Sequence, residues 1–200
     1  YGTAPIVNTS NGKGRDFDGV NGTYVDIGDL SLFENQTFTI EAYIKREGMC
    51  GTYDYCSIMS KGSSGNKGFN FGISNGKLQI RINDMGTLGT EYLDGVTDLA
   101  IGTWYYVAAV VDGKEKTLRL YVNNSLDASG SFTEEIYYAG IDHVKIGNAN
   151  DGNDLPFNGV IDGVRYSNVA RDLAYIQSQN SKYATGNGSN IGSYIAQFTG

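Results

Sequence analysis

The chain has 200 residues, which is enough for one domain with a sizeable hydrophobic core. Its formal net charge of −7 argues against a nucleic-acid partner, because no excess of Lys and Arg is available to neutralise phosphates. No apolar run approaches the roughly 18 residues that span a bilayer, and no signal peptide is visible, so we expect no membrane insertion. The composition includes 28 Gly and 15 Tyr but only 2 Pro, and short apolar runs are separated by Gly, Asn, Asp and Ser. This pattern indicates an all-β fold.

Alternation of apolar and polar residues predicts most of the strands. Residues 37–45 form the clearest half-buried strand. Asn75-Gly76 lies between two alternating runs and predicts a hairpin with a two-residue turn. Residues 104–111 are apolar on both faces, so we expect a central strand with Trp104 in the core. Further strands are predicted within 15–27, 57–61, 69–73, 78–82, 118–122, 133–138 and 142–147.

The other segments favour loops, one short helix and a tail. Residues 84–98 are Gly-rich and loop-like, and 172–179 are predicted to form two helical turns. The domain is expected to span 1–180, followed at 181–200 by a Gly/Ser/Asn-rich tail, linker or extra edge strand. About ten to twelve strands with these turns predict a two-sheet antiparallel β-sandwich.

The strand within 156–172 contains an unexpected carboxylate. Simple alternation places Asp162 between Val160 and Val164 on the expected core face. A buried anion needs a metal, a cation or several N–H donors, and Asp18 offers a second carboxylate for a metal. The alternative is that Asp162 accepts backbone hydrogen bonds and Asp18 caps a turn.

Two cysteines, Cys50 and Cys56, lie in one short loop. Five intervening residues can close a small disulfide ring, which indicates an extracellular or cell-surface location; two free thiols are the alternative. A disulfide would hold the tip Tyr53-Asp54-Tyr55 in place and lower the entropy lost on binding. His143 is the one histidine, so a zinc site is not expected.

Tyrosines expected to be exposed, together with nearby Asp residues, are the candidate ligand-binding residues. Sugars stack their C–H faces on aromatic rings, while polar side chains bind the hydroxyl groups. The alternative is that Tyr is a good strand residue with a polar end. Convergence of these side chains on one face would favour sugar binding, and scatter would favour a scaffold. The candidates are Tyr53, Asp54, Tyr55, Tyr92, Asp94, Tyr137 and Tyr138.

Six ordered segments resemble a known family over roughly 14–180. They are FDG (17–19) with YV (24–25), FTIEAYIK (38–45), WYYVA (104–108), LRLYVN (118–123), IG (146–147) and FNGVIDGVRY (157–166). The pattern resembles the laminin G-like, concanavalin A-like jelly-roll superfamily. The resemblance implies a jelly roll and, commonly, a structural calcium.

The resemblance also implies calcium ligands. Asp18 and Asp162 would hold the ion, with a carbonyl such as that of Gly19. Asp151 and Asp154 are a second candidate site, with a plain turn as the alternative.

The carboxylate pattern argues against catalysis. Related glucanases need two carboxylates on one strand, about 5 Å apart. Here Glu41 is alone in its strand, and Glu134 and Glu135 are adjacent, so they face opposite ways. No Gly-x-Ser-x-Gly elbow accompanies His143, which we interpret as a surface residue.

The sequence therefore predicts a non-catalytic extracellular module that binds carbohydrate or mediates adhesion and is stabilised by calcium. Its partner would be a glycan or a surface protein. The alternative is a structural or protein-interaction module of a surface assembly, such as a pilus or fibre. In that case 181–200 would connect it to neighbouring domains or subunits by β-augmentation.

Overall fold

Two packed β-sheets make up most of the structure, a computed structural model that describes residues 4–10, 12–51, 54–62, 68–83, 90–138, 142–149, 155–184 and 196–199. The helix α1 spans Leu173–Ala184, and a short 3-10 turn spans Ser31–Phe33. Within these residues, no helix is both long enough and apolar enough to cross a bilayer. The strands are β1 (Ile6–Thr9), β2 (Gly12–Asp18), β3 (Val25–Gly28), β4 (Phe38–Arg46), β5 (Tyr55–Lys61), β6 (Phe69–Ser74), β7 (Lys77–Asn83), β8 (Thr90–Asp94), β9 (Trp104–Asp112), β10 (Thr117–Val122), β11 (Ser125–Ser131), β12 (Val144–Ile146), β13 (Asn158–Ser167) and β14 (Ala196–Thr199).

The strand order confirms the predicted two-sheet antiparallel sandwich. The larger sheet has the order β1-β2-β13-β4-β9-β10-β11, and the smaller has β3-β12-β5-β6-β7-β8. β14 joins the larger sheet by parallel pairing with β13. The helix continues to Ala184, past the predicted domain end at residue 180. Both ends of the chain therefore contribute to the larger sheet.

The main core lies between the two sheets and contains an aromatic cluster. The ring centroid of Tyr166 lies 4.8 Å from that of Phe33, 5.5 Å from that of Phe38 and 6.1 Å from that of Phe69. All four side chains are buried, and burying each contributes roughly 1.5–3 kcal/mol. This packing fixes β4, β6 and β13 relative to one another.

A second apolar cluster covers the outer face of the larger sheet. Tyr106, Ala108 and Val110 of β9 pack with Tyr121 of β10 against Ile176 of α1. β9 is apolar on both faces because one face contacts the smaller sheet and the other contacts the helix. The predicted central strand is thus confirmed.

Trp104 does not lie in the main core, so that prediction was wrong. It shares the outer face with Tyr106 because the two residues are an even number of positions apart. Trp104 is only partly buried, and its ring stacks on that of Tyr43 at a centroid distance of 4.7 Å.

A bulge in β13 changes the face on which its side chains lie. The ladder with β4 shifts directly after Asp162, and Gly163 adopts a φ of +59°. Asp162 is therefore opposite Tyr43 on the outer face, whereas Val164 and Tyr166 face the core. The prediction that Asp162 shares a face with Val164 was wrong, because an extra residue reverses the alternation.

Buried polar groups connect α1 to the sheet beneath it. Glu41 of β4 is only 1% exposed, accepts a hydrogen bond from the Tyr106 hydroxyl and lies 3.7 Å from the Arg165 guanidinium. Arg165 Nη1 in turn donates to Gln179 Oε1 of α1 at 2.7 Å. Burial raises the pKa of Glu41, although the Tyr106 hydroxyl and Arg165 act in the opposite direction.

Replacing Glu41 with Gln should change how stability depends on pH. The raised pKa means that the folded protein holds this proton more tightly than the unfolded chain, whose ordinary value is 4.5. The resulting stabilisation is fully present below about pH 4.5 and is lost as pH rises through the folded pKa. Urea unfolding should therefore show wild type losing stability relative to E41Q as the pH rises above about 4.5. The exposed control E135Q should show the same pH dependence as wild type. Parallel curves of unfolding free energy against pH for E41Q and wild type would contradict the raised pKa of Glu41.

Candidate functional site

Three of the predicted ligand-binding residues converge on the outer face of the smaller sheet. Tyr92 and Asp94 of β8 lie directly opposite Arg81 and Gln79 of β7. Because paired residues in an antiparallel ladder share a face, all four side chains point to the same side. Tyr55 of β5 joins them, since Arg81 Nη1 donates to Tyr55 Oη at 2.5 Å. We define the polar face as Tyr55, Asn70, Gln79, Arg81, Tyr92 and Asp94.

The alternation of β7 explains why these side chains face outward. Leu78, Ile80 and Ile82 are buried in the main core, so the residues between them must point away from it. Arg81 and Gln79 were not among the predicted site residues. The alternation in 77–83 was the signal that could have identified them.

The polar face combines an exposed aromatic ring with hydrogen-bonding groups. Tyr92 is 61% exposed, and its partner Arg81 starts from a Cβ about 4.5–5.5 Å away. Gln79 Nε2 donates to Asp94 Oδ1 at 2.6 Å in the neighbouring pair. Asn70 of β6 lies opposite Arg81 on its other side. Such a surface offers ring stacking next to amide, carboxylate and guanidinium groups.

The cysteine loop supports this face from one end. Cys50 and Cys56 form a disulfide, as predicted. Both carboxylate oxygens of Asp54 accept hydrogen bonds from Arg46 Nη2, and one also accepts from the Cys50 N–H at 2.9 Å. Asp54 is only 8% exposed, so its carboxylate organises the loop before Tyr55 and is not presented to a ligand. Tyr53 lies outside the described residues.

The other two tyrosines lie outside the strands that form the polar face, between β11 and β12. Tyr137 is 38% exposed, and its carbonyl accepts a hydrogen bond from the Gly68 N–H. Tyr138 packs against the main core and donates its hydroxyl hydrogen to the Asn35 carbonyl at 2.8 Å. Burial raises the pKa of Tyr138 well above its usual value. Tyr138 therefore has a structural position, contrary to its interpretation as a ligand-binding side chain.

The predicted calcium ligands occupy two separate places. Asp18 lies opposite Asn158 in the β2–β13 ladder, four positions before Asp162. Four residues of a strand span about 13 Å, so the two carboxylates would each need their own set of ligands. Within the described residues, no group of three or more His, Cys, Asp or Glu is arranged to hold a metal. Asp151 and Asp154 lie outside those residues.

Each of the two carboxylates has protein hydrogen-bond donors. The Val20 N–H donates to Asp18 Oδ1 at 3.0 Å, and hydrogen bonds from the Thr23 side chain and from Val20 lower the pKa of Asp18. Asp162 Oδ2 accepts from Thr9 Oγ1 at 2.6 Å, and burial raises the pKa of Asp162. These contacts match the alternative in which Asp18 caps the turn at Gly19 and Asp162 is held by protein donors.

Comparisons with known proteins identify the same fold. The family model described as "Concanavalin A-like lectin/glucanases superfamily" matches residues 18–177. Among curated proteins, no sequence is significantly similar.

Several solved structures resemble the chain in fold. Domain 4 of AbnA, a GH43 extracellular arabinanase from Geobacillus stearothermophilus solved in complex with arabinotriose, has a TM-score of 0.70 at 18% identity. The similarity covers 89% of this chain and 81% of that one. The Ruminococcus gnavus IT-sialidase CBM40 bound to alpha2,3 sialyllactose has a TM-score of 0.64 at 16% identity, covering 88% and 96%. A heptameric SAP-like pentraxin from Limulus polyphemus has a TM-score of 0.61 at 15% identity, covering 87% and 84%. At these identities the likenesses establish the fold alone.

Replacing Asp54 with Ala should destabilise the protein by about 3 kcal/mol or more, because it leaves the buried guanidinium of Arg46 without its carboxylate. Urea unfolding of the oxidised protein measures the change in the free energy of unfolding. Asp98→Ala is the matched control, since Asp98 also pairs with a cation, Lys77, but its side chain is 84% exposed. Equal effects of the two substitutions would contradict the organising role of Asp54.

Proposed function

Because the chain belongs to the concanavalin A-like lectin/glucanases superfamily, we propose that it is a carbohydrate-binding module whose ligand lies on the polar face. The observation that carries the proposal is the convergence of Tyr55, Tyr92 and Asp94 on one outward sheet face. The outer face of the larger sheet is partly covered by α1. The relatives solved with arabinotriose and with sialyllactose support a glycan ligand.

The side chains of the polar face have complementary roles in this proposal. The exposed ring of Tyr92 offers a flat surface on which a sugar ring can stack. Asp94 and Gln79 hold each other in place and retain further donor and acceptor positions for hydroxyl groups. Their mutual hydrogen bond fixes both side chains before binding, which reduces the entropy lost on association.

The proposed module binds without catalysing hydrolysis. Glycoside hydrolysis uses a pair of carboxylates that flank one bond. Glu91, the other described carboxylate of β8, lies opposite Ile82 and so on the other side of the sheet from Asp94. Its oxygens accept hydrogen bonds from the N–H and hydroxyl groups of Thr133. The disulfide supports the further proposal that the module acts in an oxidising, extracellular setting.

Substituting Tyr92 with Ala should weaken glycan binding at least about tenfold, because truncation of an aromatic ring that stacks on the ligand commonly has an effect of this size. A glycan array with the wild-type protein identifies a bound oligosaccharide, and isothermal titration then measures its affinity for each variant. Tyr175→Ala is the control, since Tyr175 is an aromatic residue of α1, which packs on the outer face of the other sheet. Equal losses in both variants would place the ligand elsewhere. Absence of binding by folded wild type to any glycan would favour the structural-module alternative.

Calcium stabilisation, which the family resemblance implies, is a second proposal and concerns Asp162 and Asp18 separately. We expect EDTA to lower the melting temperature of the wild type. If Asp162 holds the ion, D162N should abolish this response while D18N retains it. If Asp162 holds no ion, D162N should instead be more stable than wild type at pH 7, since burial raises the pKa of Asp162 above 3.8 and disfavours its charged form. Identical melting in calcium and in EDTA would contradict calcium stabilisation.

A further inference from the structure

We propose that the glycan bound by the polar face carries an anionic group and that Arg81 binds this group. The inference rests on the proposed function of the face and specifies its ligand class. It starts from the position of Arg81, whose guanidinium is permanently charged and which lies between Asn70 and Tyr92 on this face. A guanidinium is planar and presents five N–H donors, which fits the oxygens of a carboxylate or a sulfate.

Arg81 has no carboxylate partner among the described residues. Three other arginines of the domain pair with carboxylates: Arg46 with Asp54, Arg119 with Asp112 and Arg165 with Glu41. Arg81 makes none of the ion pairs of the described residues, although the chain has an excess of acidic groups. Its positive charge is therefore available to a ligand.

The orientation of Arg81 is fixed from one side. Nη1 donates to Tyr55 Oη at 2.5 Å, and the guanidinium carbon lies 5.4 Å from the centroid of the Tyr55 ring. This contact uses one donor and leaves the others for a second acceptor. A guanidinium held in this way loses less conformational entropy on binding than a freely rotating side chain.

The neighbours of Arg81 define how an acidic sugar would lie. Tyr92 is its direct cross-strand partner, so the stacking surface and the cation are about 4.5–5.5 Å apart at their Cβ atoms. Asp94 lies in the neighbouring pair, where its carboxylate would repel a second anionic group but accept hydroxyl hydrogens. The face therefore fits an oligosaccharide in which an acidic unit is next to a neutral one.

Pairs of ligands that differ in charge test the proposal. Sialyllactose is compared with lactose, trigalacturonic acid with its methyl ester, and a sulfated disaccharide with its unsulfated form, by isothermal titration. Wild type should bind an acidic member about tenfold or more tightly than its neutral partner. That preference should shrink at high salt, because screening weakens an exposed charge pair. The pair that shows this preference identifies whether the acidic group is a sialic acid, a uronic acid or a sulfate.

Substitutions of Arg81 test the assignment to this residue. Arg81→Gln should remove the preference, and Arg81→Lys should restore it in part, because Lys keeps the charge but loses the planar fork. Lys77→Gln, which makes the same change in net charge on the same sheet, should keep the preference because Lys77 already pairs with Asp98. Thermal melting confirms that each variant is folded.

The possible failures are distinguishable. Wild type that binds neutral and acidic partners equally, or R81Q that keeps the preference, would overturn this inference and leave the glycan-binding proposal intact. Folded wild type that binds neither member of any pair would overturn both.

Discussion

The buried ion pair between Arg46 and Asp54 joins the two sheets at the end of the sandwich next to Tyr55. Arg46 ends β4 of the larger sheet, and Asp54 directly precedes β5 of the smaller sheet. The same two residues bind the surrounding loops, since Arg46 Nη1 donates to the Leu99 carbonyl and the Asp54 carbonyl accepts from the Asn75 N–H. A buried pair adds little net stability over apolar packing, but removing one partner is costly. The position of Tyr55 beside the β6–β7 hairpin therefore depends on this pair.

The two outer faces of the sandwich have different chemistry because only one contacts the helix. On the larger sheet, β9 supplies apolar side chains to α1, and beneath the helix Arg165 lies 3.7 Å from Glu41 and donates a hydrogen bond to Gln179. The equivalent positions of β7 in the smaller sheet are Lys77, Gln79 and Arg81, which stay polar. The same alternation of a strand thus produces a second apolar cluster on the outer side of one sheet and the polar face on the outer side of the other.

Local sequence patterns predicted the elements better than their spatial arrangement. The Asn75-Gly76 hairpin and β4 followed from turn chemistry and alternation, and both agree with the structure, where Asn75 and Gly76 have φ values of +50° and +77°. β8 was missed because its five residues follow a Gly-rich segment that resembles a loop. Asp162 was assigned to the wrong face because the bulge at Gly163 interrupts the alternation. The convergence of Tyr55 with Tyr92 requires the order β5-β6-β7-β8, which depends on pairing that no local pattern specifies.

An acidic protein can recognise an acidic ligand when one cation is in direct contact with it. The net charge of −7 is spread over the molecule, and the Debye length at physiological salt is about 8 Å, so carboxylates farther away are largely screened. Their remaining repulsion slows the encounter, because long-range fields act mainly on association rates. The proposed contact with Arg81 is shorter than this screening length, and the ring of Tyr55 lies against the guanidinium on one side. In the proposed binding mode, selectivity for a charged ligand therefore depends on the position of one guanidinium and not on the sign of the net charge of the protein.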